Sequence, residues 1–173
     1  MISRRTFITA GILGATALAT AGWLRGPHAP AMGAPLRVLD ADAAAILRAV
    51  VPVMLAGALP ASAERQRRAI EDTVRGIDAA VAGLPPTAQK EIAQLFTLLA
   101  LPPARWALAR VTVSWNEAPE AEVRAFLERF RDSSFDLQRS AYGAIHQLTF
   151  AAWYGNPESW NAIGYAGPPD LGS

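Results

Sequence analysis

From Asp40 onwards, apolar residues return every three or four positions, with polar residues on the opposite side of a helical wheel. Asp40 suits a helix cap, and Ala43, Ile46, Leu47, Val50 and Val51 follow at helical spacing up to Pro52. That proline is expected to end or kink the helix, with the break completed by Gly57 to Pro60. Ser62 caps a second segment carrying Ile70, Val74, Ile77 and Val81, closed by Gly83. Leu84-Pro85-Pro86-Thr87 reads as a turn and a new cap. Ile92, Leu95, Phe96, Leu98 and Leu99 follow, and Leu101-Pro102-Pro103 stops them. A short helix is expected from about residue 104 to 113. Pro119 fits the first turn of the next, with Val123, Phe126, Leu127 and Phe130 on one stripe and Glu120–Arg124 and Arg124–Glu128 pairs on the other face.

The last helix, roughly Ser134 to Tyr154, differs from the others. Leu137, Ala141, Ile145 and Leu148 form one stripe, and Tyr142, Thr149, Phe150 and Trp153 make most of the other side apolar too. A helix apolar nearly all round sits centrally in a core or is covered by a partner. Gly155-Asn156-Pro157 ends it, glycine accepting a left-handed cap and proline forbidding continuation. No stretch shows two-residue alternation bounded by hairpin turns. The pattern predicts a small all-α bundle of about five to six helices with an extended, aromatic C-terminal tail.

Charge and composition narrow the function. Arg4, Arg5 and Arg25 precede Met32 with no acidic residue among them, leaving 13 basic and 15 acidic side chains beyond. That balance argues against a nucleic-acid surface, which needs a clustered basic footprint. Arg65-Gln66-Arg67-Arg68 reads as a solvated helix face, with Glu71 and Asp72 four residues beyond Arg67 and Arg68. The 173 residues contain no cysteine. Disulfides, thiolate zinc sites, iron–sulfur clusters, Cys-x-x-Cys-His haem attachment and a lipidated N-terminal cysteine are thereby excluded for this chain.

The first 31 residues read as a leader. Ser3-Arg4-Arg5-Thr6-Phe7-Ile8 matches the twin-arginine export pattern, with Thr9 where lysine is often found. Phe7 to Leu24 carries no charge over 18 residues, eleven of them Gly, Ala or Thr, which is weakly apolar for a membrane span. Ala29-Pro30-Ala31 offers a small-x-small cleavage site, so a cut after Ala31 would leave a helical domain over residues 32–173. The alternative is an uncleaved N-terminal anchor. The twin-arginine route carries folded proteins, commonly ones holding a cofactor, which directs attention to where a cofactor could sit.

Few residues here could carry chemistry. There is no glycine-rich phosphate loop. Of two histidines, His28 is in the leader, and His146 stands in the last helix without a Glu-x-x-His or His-x-x-x-His companion. A lone helical histidine is more often packed than ligating. No catalytic, cofactor-binding or metal-ligating residue is expected in this chain.

The C-terminal stretch is more informative. Trp153, Tyr154, Trp160 and Tyr165 crowd into 13 residues among glycines and prolines. Too aromatic for a free end, they either fold back on the bundle or dock on another protein. The run Tyr154-Gly155-Asn156-Pro157-Glu158-Ser159-Trp160-Asn161-Ala162-Ile163-Gly164-Tyr165, with Gly167 beyond, resembles the C-terminal signature of the gluconate 2-dehydrogenase subunit 3 family. Gly155, Asn156, Trp160, Ile163, Gly164, Tyr165 and Gly167 match; Ala166 stands where proline is usual. The stretch from Ala43 to Pro60 is similar to the family's opening helix and proline loop.

The resemblance implies a non-catalytic small subunit of a periplasmic dehydrogenase, lending its export signal to a folded partner. That partner would be a larger flavoprotein of the glucose-methanol-choline type carrying FAD, with a cytochrome c subunit passing electrons on and the complex associated with the inner membrane. Arg4, Arg5 and Phe7 would be read by the twin-arginine translocase, and Trp153, Tyr154, Asn156, Trp160 and Tyr165 would contact the flavoprotein. Two other readings stay open: an independent periplasmic ligand-binding protein or enzyme, and a membrane-tethered structural protein.

Overall fold

The computed structural model describes residues 35–160. Among them the chain forms six helices and no strand: α1 Ala41–Met54, α2 Ala63–Ala82, α3 Pro86–Ala100, α4 Glu120–Arg131, α5 Asp136–Tyr154 and α6 Pro157–Trp160. Between α3 and α4 lie one α-turn (Pro102–Ala104), a π-helical turn (Arg105–Ala109) and a 3-10 turn (Trp115–Glu117). The all-α bundle expected from periodicity is the observed fold.

The bundle is organised around α1, which packs against α2, α3, α4, α5 and the 3-10 turn. Only Asp42 and Arg48 are charged along its 14 residues, so Ile46, Leu47, Val50 and Val51 can all be fully enclosed. Asp40 caps it, its Oδ1 accepting from the Ala43 N–H at 2.8 Å. Pro52 does not end this helix. Proline near the C-terminus forfeits a single bond, and the turn continues to Met54.

Of the two expectations for the last helix, central in the core or covered by a partner, the first is not met. Helix α5 buries Ala141, Ile145, Leu148, Thr149 and Trp153 against the bundle, chiefly on α2 and α4, but Leu137 at its first turn is 62% exposed. Tyr142 and Phe150 are only half-buried, packing against the core while also stacking within their own helix. Two further readings change. The predicted helix over 104–113 is instead the α-turn and π-turn, closed by Arg110 in the left-handed region at φ 51°. Gly155, ending α5, is a right-handed rather than a left-handed cap.

Side-chain polar contacts fix how the helices meet. Arg48 on α1 grips Glu71 on α2 with two hydrogen bonds, 2.6 Å from Nε and 3.1 Å from Nη2. Glu71 is thus drawn across to α1 rather than along its own helix, Asp72 pairs with Arg75, and Arg68 with Glu64. Arg124 pairs with Glu120, as the spacing predicts. Buried Asp78 on α2 accepts from three successive main-chain amides, Arg37 at 2.7 Å and Val38 and Leu39 at 3.0 Å each, anchoring the segment before α1. Helices α2 and α5 pack tightly at Gly76, where an added Cβ would lie 2.9 Å from the Cβ of Ala152.

Candidate functional site

The end of α5 is a compact, hydrogen-bonded knot. The Gly155 N–H still reaches the Ala151 carbonyl at 3.0 Å, and that of Asn156 reaches Trp153 at 3.1 Å. Pro157 then starts the single turn of α6, where proline's missing N–H costs nothing. Ser159 is buried beneath this turn, its hydroxyl within 2.7 Å of the carbonyl oxygens of both Trp153 and Asn156. Trp160 folds back so that its Nε1 donates to the Tyr154 carbonyl at 2.7 Å. The expected extended tail thus begins with a helical turn, because Asn-Pro restarts a helix as readily as it ends one. Ser159 escaped the sequence analysis; the Asn-Pro-x-Ser spacing is the signal that could have found it.

The residues expected to meet a partner take different positions. Trp153 is 4% exposed and belongs to the core, whereas Tyr154 beside it is 47% exposed. Asn156 and Trp160 are half-buried in the knot. Arg4, Arg5, Phe7 and Tyr165 lie outside the described residues.

Tyr154 ends a ladder of rings along α5. Tyr142, His146, Phe150 and Tyr154 recur every fourth residue, with ring centres 5.7, 4.4 and 5.9 Å apart in turn. The ladder runs about 18 Å along the helix at 1.5 Å per residue. His146 is half-buried between two of the rings. Among the described residues, no three or more His, Asp or Glu side chains come together in a group able to hold a metal ion.

A second exposed apolar feature is the corner after α3. Leu101, Pro102 and Pro103 are exposed in succession, as are Trp106, Ala107 and Leu108, with Trp106 at 69%. Its base is firmly set. Ala109, Val111 and Trp115 are buried, Trp115 Nε1 donates to the Leu99 carbonyl at 2.9 Å, and the Trp115 ring packs edge-on against Phe126 at 5.5 Å. Arg129 of α4 donates from Nη2 to the Ala109 carbonyl, closing the π-turn from below. Burial and the neighbouring Arg110 charge pull the Arg129 guanidinium below its ordinary pKa. No family model, curated protein or solved structure matches the chain.

Proposed function

We propose that this chain is a non-catalytic accessory subunit, which binds a larger folded flavoprotein dehydrogenase and carries it through the twin-arginine translocase to the periplasm. The partner holds FAD and oxidises a sugar or alcohol; this chain supplies Arg4, Arg5 and Phe7 as the shared export signal and stabilises the complex.

The observation that carries the reading is the knot closing α5. The motif residues Gly155, Asn156 and Trp160 are tied to the helix end by Ser159 and by the Trp160–Tyr154 main-chain bond, and Tyr154 stands exposed at the end of the aromatic ladder. A rigid, partly exposed aromatic row offers large contact area with few rotors left to freeze, as a protein interface requires. Trp153 serves this surface from beneath as a core residue.

The test is a gentle purification of C-terminally tagged chain from its native host, with the absorption of the eluate read near 450 nm. The expected result is a yellow complex containing a larger dehydrogenase. Tyr154→Ala should weaken co-elution by about 30-fold, the size of a 2 kcal/mol interface hot spot, with the fold intact by circular dichroism. A colourless protein eluting alone would overturn the reading.

A further inference from the structure

The corner between α3 and the 3-10 turn has a composition unlike the rest of the molecule. From Ile92 to Asn116, 25 residues contain no Asp, Glu or Lys; the only charges are Arg105 and Arg110. Six arginines lie between Ile92 and Trp160. Among the described residues Arg124, Arg131 and Arg139 each form an ion pair with a carboxylate, while Arg105, Arg110 and Arg129 form none. Those three converge on the corner: Arg105 and Arg110 belong to it, and Arg129 bonds its Ala109 carbonyl. The carboxylate nearest in contact, Glu122, is engaged by the main-chain N–H of Thr112 at 3.0 Å and by its hydroxyl. Arg105 Nε is buried without a hydrogen-bond partner.

The corner's shape is as distinctive as its charge. Among the described residues no single helix is long and apolar enough to cross a membrane, but Pro86–Ala100 and Pro102–Ala109 together reach that level of hydropathy and length, bent by 78°. At 1.5 Å per residue the longer arm spans about 22 Å, short of the roughly 30 Å hydrocarbon layer. Helix α3 also commits Phe96 and Leu99 to the core, so it is not free to insert. What is exposed is the tip, Leu101, Trp106, Leu108 and Arg110, with Arg105 and Arg129 half-buried behind it.

We propose that this corner seats in the interface of an anionic lipid bilayer, with Trp106 and its leucine neighbours at the acyl boundary and the three arginines among the headgroup phosphates. Tryptophan is suited to that depth, having an apolar body and one polar N–H. Arginine suits phosphate because its planar fork can bond two oxygens at once. A π-turn and two prolines give the tip a set shape before it meets lipid, so little conformational entropy is lost on docking. The face is independent of the Tyr154 surface: the corner packs on α3, whereas α5 packs chiefly on α2 and α4.

Because the chain has no cysteine, one introduced cysteine places one label. Full-length protein carrying an environment-sensitive fluorophore at Ala107→Cys, or at exposed Gln147→Cys on α5, is mixed with vesicles of phosphatidylglycerol or of phosphatidylcholine alone. The expected result is brightening and a blue shift of the label at 107 with phosphatidylglycerol only, and no response at 147. Arg110→Glu in the 107-labelled protein should weaken the response at least fivefold, in keeping with the contribution of one cation near an anionic surface. A label at 107 that stays unchanged would overturn the proposal, even if the protein floats with vesicles through its N-terminal segment. So would equal brightening with both lipids, or shielding of the label only by a co-purifying protein.

Discussion

Asp78 Oδ1 accepts a hydrogen bond from the Leu39 main-chain N–H at 3.0 Å, across 39 residues of sequence, and the same carboxylate also takes the amides of Val38 and Arg37. Three donors on one buried carboxylate are charge-assisted bonds, and removing the acceptor strands the Leu39 amide in the interior. Asp78→Ala is expected to cost about 3 kcal/mol in urea unfolding. The amides of Arg37, Val38 and Leu39 should exchange much faster with deuterium in that variant, with no matching change in α4.

Gly76 marks a tight contact between α2 and α5. Alanine is the better helix former by about 1 kcal/mol, but its Cβ would stand 2.9 Å from that of Ala152 and force the helices apart. Overpacking of this kind costs about 1–3 kcal/mol. Gly76→Ala should therefore lower thermal stability, while Gly76→Ala/Ala152→Gly should lose at least 1 kcal/mol less than the two single changes summed. Strict additivity would mean that the contact is unimportant.

The Thr149 hydroxyl and the Trp153 Nε1 are buried without hydrogen-bond partners one turn apart on α5. Each gave up water without recovering a bond. Thr149→Val keeps the shape and removes the hydroxyl, and is expected to raise stability by about 1 kcal/mol. A loss measured by calorimetry would show that the hydroxyl is satisfied in solution.

The Arg48 bond, and to a smaller degree its charge, hold the Glu71 carboxyl below its ordinary value of 4.5, against the opposing pull of burial. A lowered folded-state pKa gives stability that is present above the unfolded pKa and lost as pH falls through the folded one. The pair is substantially exposed, so solvent screening limits it to under about 1 kcal/mol. Denaturation midpoints followed from pH 6 down through the carboxylate range should show a drop in the wild type that is smaller in Glu71→Gln.

Arg4→Lys/Arg5→Lys tests the shared signal. Both this protein and the proposed flavoprotein partner should remain in the cytoplasm, read by fractionation and by dehydrogenase activity in the periplasm. Export of the partner at wild-type level would count against the accessory reading.

Most helix boundaries were legible because they rest on local chemistry: Asp40 as a cap, Pro85-Pro86 at the start of α3 and Gly83 after α2. The centre of the bundle was not, because apolar counts treat all apolar residues alike. Tyr142 and Phe150 are only half-buried against the core, and Leu137 in the first turn of α5 is exposed, whereas the plainer α1 is enclosed. The corner was misread as one helix because its shape depends on tertiary contacts, the Trp115–Leu99 bond and the Arg129–Ala109 bond, which leave no local spacing. Asp78 passed unnoticed because its partners lie some forty residues away, although an acid beside Ile77 on a buried stripe was a signal in plain view. For the docking surface, sequence singled out Tyr154 and Trp160 but could not separate exposed Tyr154 from enclosed Trp153, its immediate neighbour.

The clasp at Asp78 has a mechanical side. A force drawn along the backbone of Arg37, Val38 and Leu39 meets this one carboxylate, beside Leu36 packed on the core. Three bonds to a single anchor share such a load, and the anchor lies in α2, which packs on both α1 and α5. A tug there is passed through α2 to the helices packed on it instead of peeling α1 from its end.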